Sequence, residues 1–195
     1  MAERTRVYVT VDVECAEERI VRGRPQPPLG YDLRVWGRFS NQQQELGIPL
    51  LMKELEAHGF RGTFFVEPFG SRYFGKEGLR EVVTALHRRG HDVQIHAHPI
   101  QKNPAFRSAG EAPADDDIGA YALADQVTLL REARELLAQA GAPRDRLRAF
   151  RAGNFGASNE TWLALAEAGI VLSSNYNPYY FDKRCRMRCA GAQGG

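Results

Sequence analysis

The feature that most limits what this chain can fold into is the repeated exchange of strand-type and helix-type apolar segments. Residues 6–13 (RVYVTVDV) alternate and are rich in β-branched side chains, which predicts a strand. Residues 49–58 (PLLMKELEAH) predict a helix. Pro49 suits its first turn, Gly59 stops it, and Leu50, Leu51 and Leu55 lie near one face. Residues 62–66 (GTFFV) read as a buried strand, and residues 77–89 as a helix striped by Leu79, Val82, Val83 and Leu86. A strand over 92–96, a long helix over 118–139, a short strand over 147–150, a helix over 160–168 capped by Ser158 and a last strand over 170–173 complete the series. Asp115, Asp116 and Asp117, just ahead of the long helix, are read as acids complementing its dipole. This alternation predicts an α/β protein with a parallel sheet, open or closed into a barrel. Residues 14–45 and 99–117 show no period and are read as long loops, where function tends to concentrate. Past Ser174 the pattern fails, so we expect one domain over residues 1–177 and an irregular tail over 178–195.

A length of 195 residues suffices for one sizeable core, and a net charge of +2 with both signs dispersed offers no footprint for nucleic acid. No apolar run approaches a membrane span or a secretion signal, so no membrane association and a cytoplasmic location are the default expectations. The sequence does not specify an oligomeric state. Three cysteines, Cys15, Cys185 and Cys189, do not suggest a disulfide framework. Cys15 is read as a bystander.

Three clusters fall at the C-terminal ends of predicted strands, where parallel α/β folds build their sites. Asp12 and Glu14 are two apart, so they share a strand face and can converge on one cation or one water. His96 and His98 share a face for the same reason, and paired imidazoles suit a divalent metal such as zinc. Phe150-Arg151-Ala152-Gly153-Asn154-Phe155-Gly156 delivers an arginine into a glycine-rich loop able to steady a carboxylate and offer N–H groups to an oxyanion. Taken singly, each cluster has a plain structural reading; together they have the layout of a metal-assisted hydrolase. His91 is read as structural, bonding to backbone, and His58 and His87 as complements to helix C-termini. Trp36 and Phe155 are the aromatic candidates for substrate contact, with Tyr31, Phe39 and Tyr73 as further rings that can stack on sugars.

In order and spacing these segments resemble the NodB-like polysaccharide deacetylases, the family-four carbohydrate esterases. Thr10-Val11-Asp12-Val13-Glu14 is similar to the family's first motif, Gly90-His91 through His98-Pro99 to its second, and Phe150-Arg151 with its loop to its third. Residues 59–66 and 169–174 match intervening strands, and the resemblance spans roughly residues 6–177. It implies an irregular (β/α)7 barrel, here with its last strands unaccounted for. It also implies a hydrolase of non-peptide carbon–nitrogen bonds that removes an acetyl group from an N-acetylated carbohydrate or a similar small amide. The cofactor implied is a divalent metal, zinc first. Carried over by position, Asp12 is the base, Arg151 steadies it, and Asn154 marks the oxyanion loop. Glu14, or alternatively Asp12, supplies the metal acid, with His96 and His98 as metal histidines.

The chain departs from the pattern in places. The family's second metal histidine stands four residues after the first, where this chain has Ile100, so His98 must serve. Arg151 is followed by Ala-Gly-Asn in place of prolines, and no histidine after His98 matches the late general acid. Either another group donates that proton, or the sequence is a piece of a longer one, or the chain is an inactive carbohydrate-binding relative. An allantoinase-type or imidase-type amidohydrolase on the same scaffold is the other alternative.

Overall fold

The computed structural model describes residues 6–102, 116–177, 179 and 184–188. Five short strands form one parallel sheet in the order β1-β4-β5-β6-β7: β1 (Thr10–Val13), β4 (Thr63–Val66), β5 (Asp92–Ala97), β6 (Ala149–Ala152) and β7 (Leu172–Ser173). Each strand lies beside the next parallel strand in the chain. Helices make the crossovers: α1 (Ile48–Ala57), α3 (Lys76–Arg88), α4 (Leu123–Gln139) and α5 (Asn159–Glu167). Sequential parallel order with same-handed crossovers stacks the helices on one face of the sheet, as in a (β/α) barrel wall. The parallel α/β sheet is as expected; among the described residues it has five strands and β1 and β7 do not pair, so closure into a barrel is not seen among them.

Alternation along the strands separates core from site. Val13, Phe64, Val66, Val93, Ile95, Ala97, Phe150 and Ala152 point to the helices and are buried in one core with Leu79, Val82, Val83, Leu86, Leu130 and Leu137. The residues between them face the other way. In register from β1 to β6, Asp12 lies beside Phe65 and Phe65 beside Gln94, while one step further along His96 lies beside Arg151. Polar residues at period two therefore become a polar lining on the sheet's second face.

Several boundaries differ from the sequence expectation for identifiable reasons. Residues 6–9 are not in the sheet: β4 begins at Thr63, whose N–H already reaches the Val9 carbonyl, so Val7 and Tyr8 have no partner strand and stay exposed. Helix α1 buries Ile48 and Met52, with Leu55 packed against the core, and leaves Leu51 exposed. The expected long helix is broken into a 3-10 turn, Ile118–Ala120, and α4, because the Gly119 N–H is drawn to the Gly156 carbonyl. Asp116 and Asp117 thus lie outside α4 and do not cap it; Asp115 lies outside the described residues.

The loop read over 14–45 holds an antiparallel hairpin, β2 (Arg19–Val21) and β3 (Arg24–Gln26). Arg22 and Gly23 turn it at positive φ, as a two-residue hairpin turn requires. The same loop holds a six-residue π-turn, Tyr31–Trp36, and a four-residue helix α2 (Ser71–Phe74) follows β4. Part of the expected tail packs. Cys185 and Met187 are fully buried, the Arg186 N–H bonds the Ala157 carbonyl, and the Cys185 thiol donates to the Asn175 carbonyl. Cys189 lies outside the described residues. No helix among them is long and apolar enough to cross a membrane.

Candidate active site

The C-terminal ends of β1, β5 and β6 bring the three predicted clusters together and sort their side chains into two groups. In the first, Glu14 meets both histidines. Its Oε2 lies 2.7 Å from His98 Nε2 and 3.4 Å from His96 Nε2. One ligand atom from each of Glu14, His96 and His98 lies within 4.8 Å of the others. The remaining ring nitrogens are occupied from behind. His96 Nδ1 donates to the Arg151 carbonyl at 2.8 Å, and His98 Nδ1 bonds Asp116 Oδ2 at 2.7 Å. Orienting each imidazole through its far nitrogen is how proteins prepare histidines as metal ligands. A carboxylate oxygen and two such nitrogens converging on one point therefore fit a divalent cation.

In the second group Asp12 is held apart from the histidines. Arg151 Nη1 donates to Asp12 Oδ1 at 2.7 Å, while its other nitrogens reach Thr10 Oγ1, Ser174 Oγ and the Ser174 carbonyl. The guanidinium also sits 4.3 Å from the Phe65 ring centre. Arg151 is thus rigid, and it fixes one oxygen of Asp12 while leaving the other unengaged by it. In this arrangement Glu14 is the carboxylate that faces the imidazoles, and Asp12 faces Arg151.

The electrostatics follow from burial against partners. Burial disfavours the charged form of His98, but hydrogen bonds to Asp116 and Glu14 outweigh it and hold the imidazolium up to about pH 11. Burial would likewise raise Glu14, yet its bonds to His96 and His98 hold it far below the ordinary carboxylate range. Asp116 is held low in the same way, chiefly by His98 once burial is overcome. A metal ligand must be neutral imidazole, so loading this site displaces a proton from His98. The apparent affinity for zinc is expected to rise about tenfold per pH unit between about pH 6 and about pH 8. An Asp116→Asn protein should bind about 10- to 100-fold more weakly and show a shallower pH slope. Calorimetric zinc titrations at several pH values check both, and a pH-independent affinity would contradict the expectation that a cation must displace a proton from His98.

The sequence places Asp116 outside the site, among the acids that complement a helix dipole. It reads locally as a helix cap, but it faces His98 because the helix starts later, and it also accepts from Asn154 Nδ2 at 2.7 Å. Asn154 and Phe155 both adopt left-handed backbone, φ 56° and 54°, a conformation costly for non-glycine residues and typical of functional turns. Gly153 has a clear steric role: a Cβ there would lie 2.4 Å from His98 Nδ1. Glu67, also missed, follows β4 and is 2% exposed; its carboxyl accepts the Phe69 and Gly70 N–H groups at 2.8 Å. Burial pushes it up to about 8 despite those donors. Its only sequence signal was an acid directly after an apolar strand.

Two expectations are revised. Trp36 is 4% exposed and packed in the core, so its ring has no open face for a substrate. Tyr31 is buried too, leaving Phe39 and Tyr73 as the exposed rings of that group. Phe155 is half-buried, 5.8 Å from the Arg151 guanidinium. The readings of His91 and Cys15 agree with the structure. His91 Nδ1 accepts the Gly62 N–H and its Nε2 meets Glu56. Cys15 is buried, which pushes its thiol up to about 12 and makes it inert.

No family model and no curated protein matches the chain. Among solved structures, the chitin deacetylase of the fungal pathogen Colletotrichum lindemuthianum is similar, with a TM-score of 0.47 and 18% identity over 86% of this chain. The alignment covers 54% of that protein, so this chain spans about half its length.

Proposed function

We propose that this protein is a divalent-metal-dependent hydrolase that removes an acetyl or related acyl group from an N-acetylated carbohydrate or similar small amide, within one domain over residues 1–177. The observation that carries the reading is the division of labour between two carboxylates at the end of one strand, Asp12 within β1 and Glu14 just past it. Glu14 faces two back-bonded imidazoles, while Asp12 is gripped by Arg151. A hydrolase of this type needs both a cation site and an independent proton acceptor beside it.

Glu14, His96 and His98 would hold the cation, most suitably zinc. When bound, such an ion lowers the pKa of water from 15.7 toward about 7 and polarises a carbonyl. Asp12 takes the proton at the oxygen that Arg151 leaves open. Arg151 keeps Asp12 aimed, since its guanidinium is anchored at Thr10 and Ser174. The turn at Asn154 offers backbone N–H to the developing oxyanion, where one such donor is worth about 3 kcal/mol. Asn154's own side chain is committed to Asp116 and so fixes that turn. Phe155 borders the same turn and would contact the substrate.

Acetate release from N-acetylated sugars by zinc-loaded protein is the direct assay. We expect turnover that is lost on chelation and restored by adding metal. Opening of a small cyclic amide with no acetate released would favour the amidohydrolase alternative, and a metal-replete protein inert toward both classes would defeat the proposal.

A further inference from the structure

Arg34 has no part in the chemistry above, yet it reaches the site at Glu14. The π-turn that carries it is pinned to the core by buried Tyr31, Val35 and Trp36. That anchoring holds Arg34 over the end of β1, where its Nη2 lies 3.5 Å from Glu14 Oε1. The oxygen concerned is the one turned away from the imidazoles, which approach Oε2.

A separation of 3.5 Å is the outer limit of a hydrogen bond. Among the described residues the Arg34 guanidinium has no other hydrogen-bonding or ionic contact, and 40% of its side chain is exposed. Its neighbours in kind are spoken for. Arg38 is ringed by Asp32, Glu45 and Glu81 at 2.6–2.7 Å, and Arg151 is saturated as described. Arg34 therefore keeps most of its planar donor fork available beside the reacting centre.

We infer that Arg34 recognises a carboxylate on the substrate, so that the site selects N-acyl compounds bearing a carboxylate near the acyl amide over their neutral counterparts. The inference rests on the metal-hydrolase reading for where the acyl group sits, but anion recognition is a binding property that can be measured without turnover.

The test compares matched probes by calorimetry on zinc-loaded protein at low salt: N-acetylmuramate against N-acetylglucosamine, and N-acetylglycine against N-acetylglycinamide. In the unaltered protein at least one carboxylated member should bind on the order of tenfold to a hundredfold more tightly than its neutral partner, the range of a charge-assisted bond. In Arg34→Gln that ratio should collapse toward one, and in Arg34→Lys part of it should return. A ratio near one in the unaltered protein, failure of all four probes to bind, or a ratio unchanged in Arg34→Gln would overturn the inference. If the ratio follows Arg34 but no acetate is released from any probe, the anion site stands and the hydrolase reading falls.

Discussion

Replacing His96 by alanine is expected to cost the protein its metal and its turnover together. His96 is 2% exposed and supplies one of only three donor atoms that converge among the described residues. Removing it leaves Glu14 and His98, a pair that no longer encloses the cation. The loss of zinc affinity should exceed the about 10- to 100-fold that outer-shell changes bring. The fold should survive. The variant deletes the Nδ1 donor to the Arg151 carbonyl, which costs about 1–3 kcal/mol when a buried acceptor is left unmet, and the core lies on the other face of the sheet. Metal analysis after dialysis, together with a thermal melt of the apoprotein, separates these effects. A folded His96→Ala protein that retains one equivalent of zinc would show that the cation is held elsewhere.

Asp12→Asn should do the opposite: abolish turnover and keep the metal. Asparagine is isosteric, and its Oδ1 can still accept from Arg151 Nη1, so the geometry around Thr10 and Ser174 has no reason to change. What disappears is the basic oxygen. Loss of a positioned general base lowers kcat by about 10²- to 10⁴-fold, with zinc stoichiometry and KM little altered. Stopped or steady-state acetate release, measured beside metal content in the same preparation, checks this. If Asp12→Asn instead loses its zinc, the two carboxylates have been assigned the wrong way round.

The contrast between the two variants is written in the chain only in part. Period-two spacing predicts Asp12 with Glu14 and His96 with His98 on common faces, although Glu14 and His98 each follow the last residue of their strand. Their position at strand C-termini follows from the apolar runs just before them. The helices α3 and α5 and the strands β4 and β5 were legible within a residue or two, since each carries a strong period bounded by glycine. Where local signals competed with tertiary contacts, the contacts prevailed. Asp116 sits in a run of acids that reads as a cap, yet it is drawn to His98; Trp36 reads as a sugar platform, yet it is core.

The sequence by itself determined the α/β alternation, the polar face of the sheet and the residue types able to hold a cation, because these depend on periods of two and 3.6 along one segment. Only the tertiary structure decided which carboxylate faces the imidazoles, that Asp116 stands behind His98, that Glu67 is buried beside them and that Arg34 lies over Glu14. Those pairings join residues as far apart as Asp12 and Arg151, and no local periodicity specifies how separate strands and loops are set against one another.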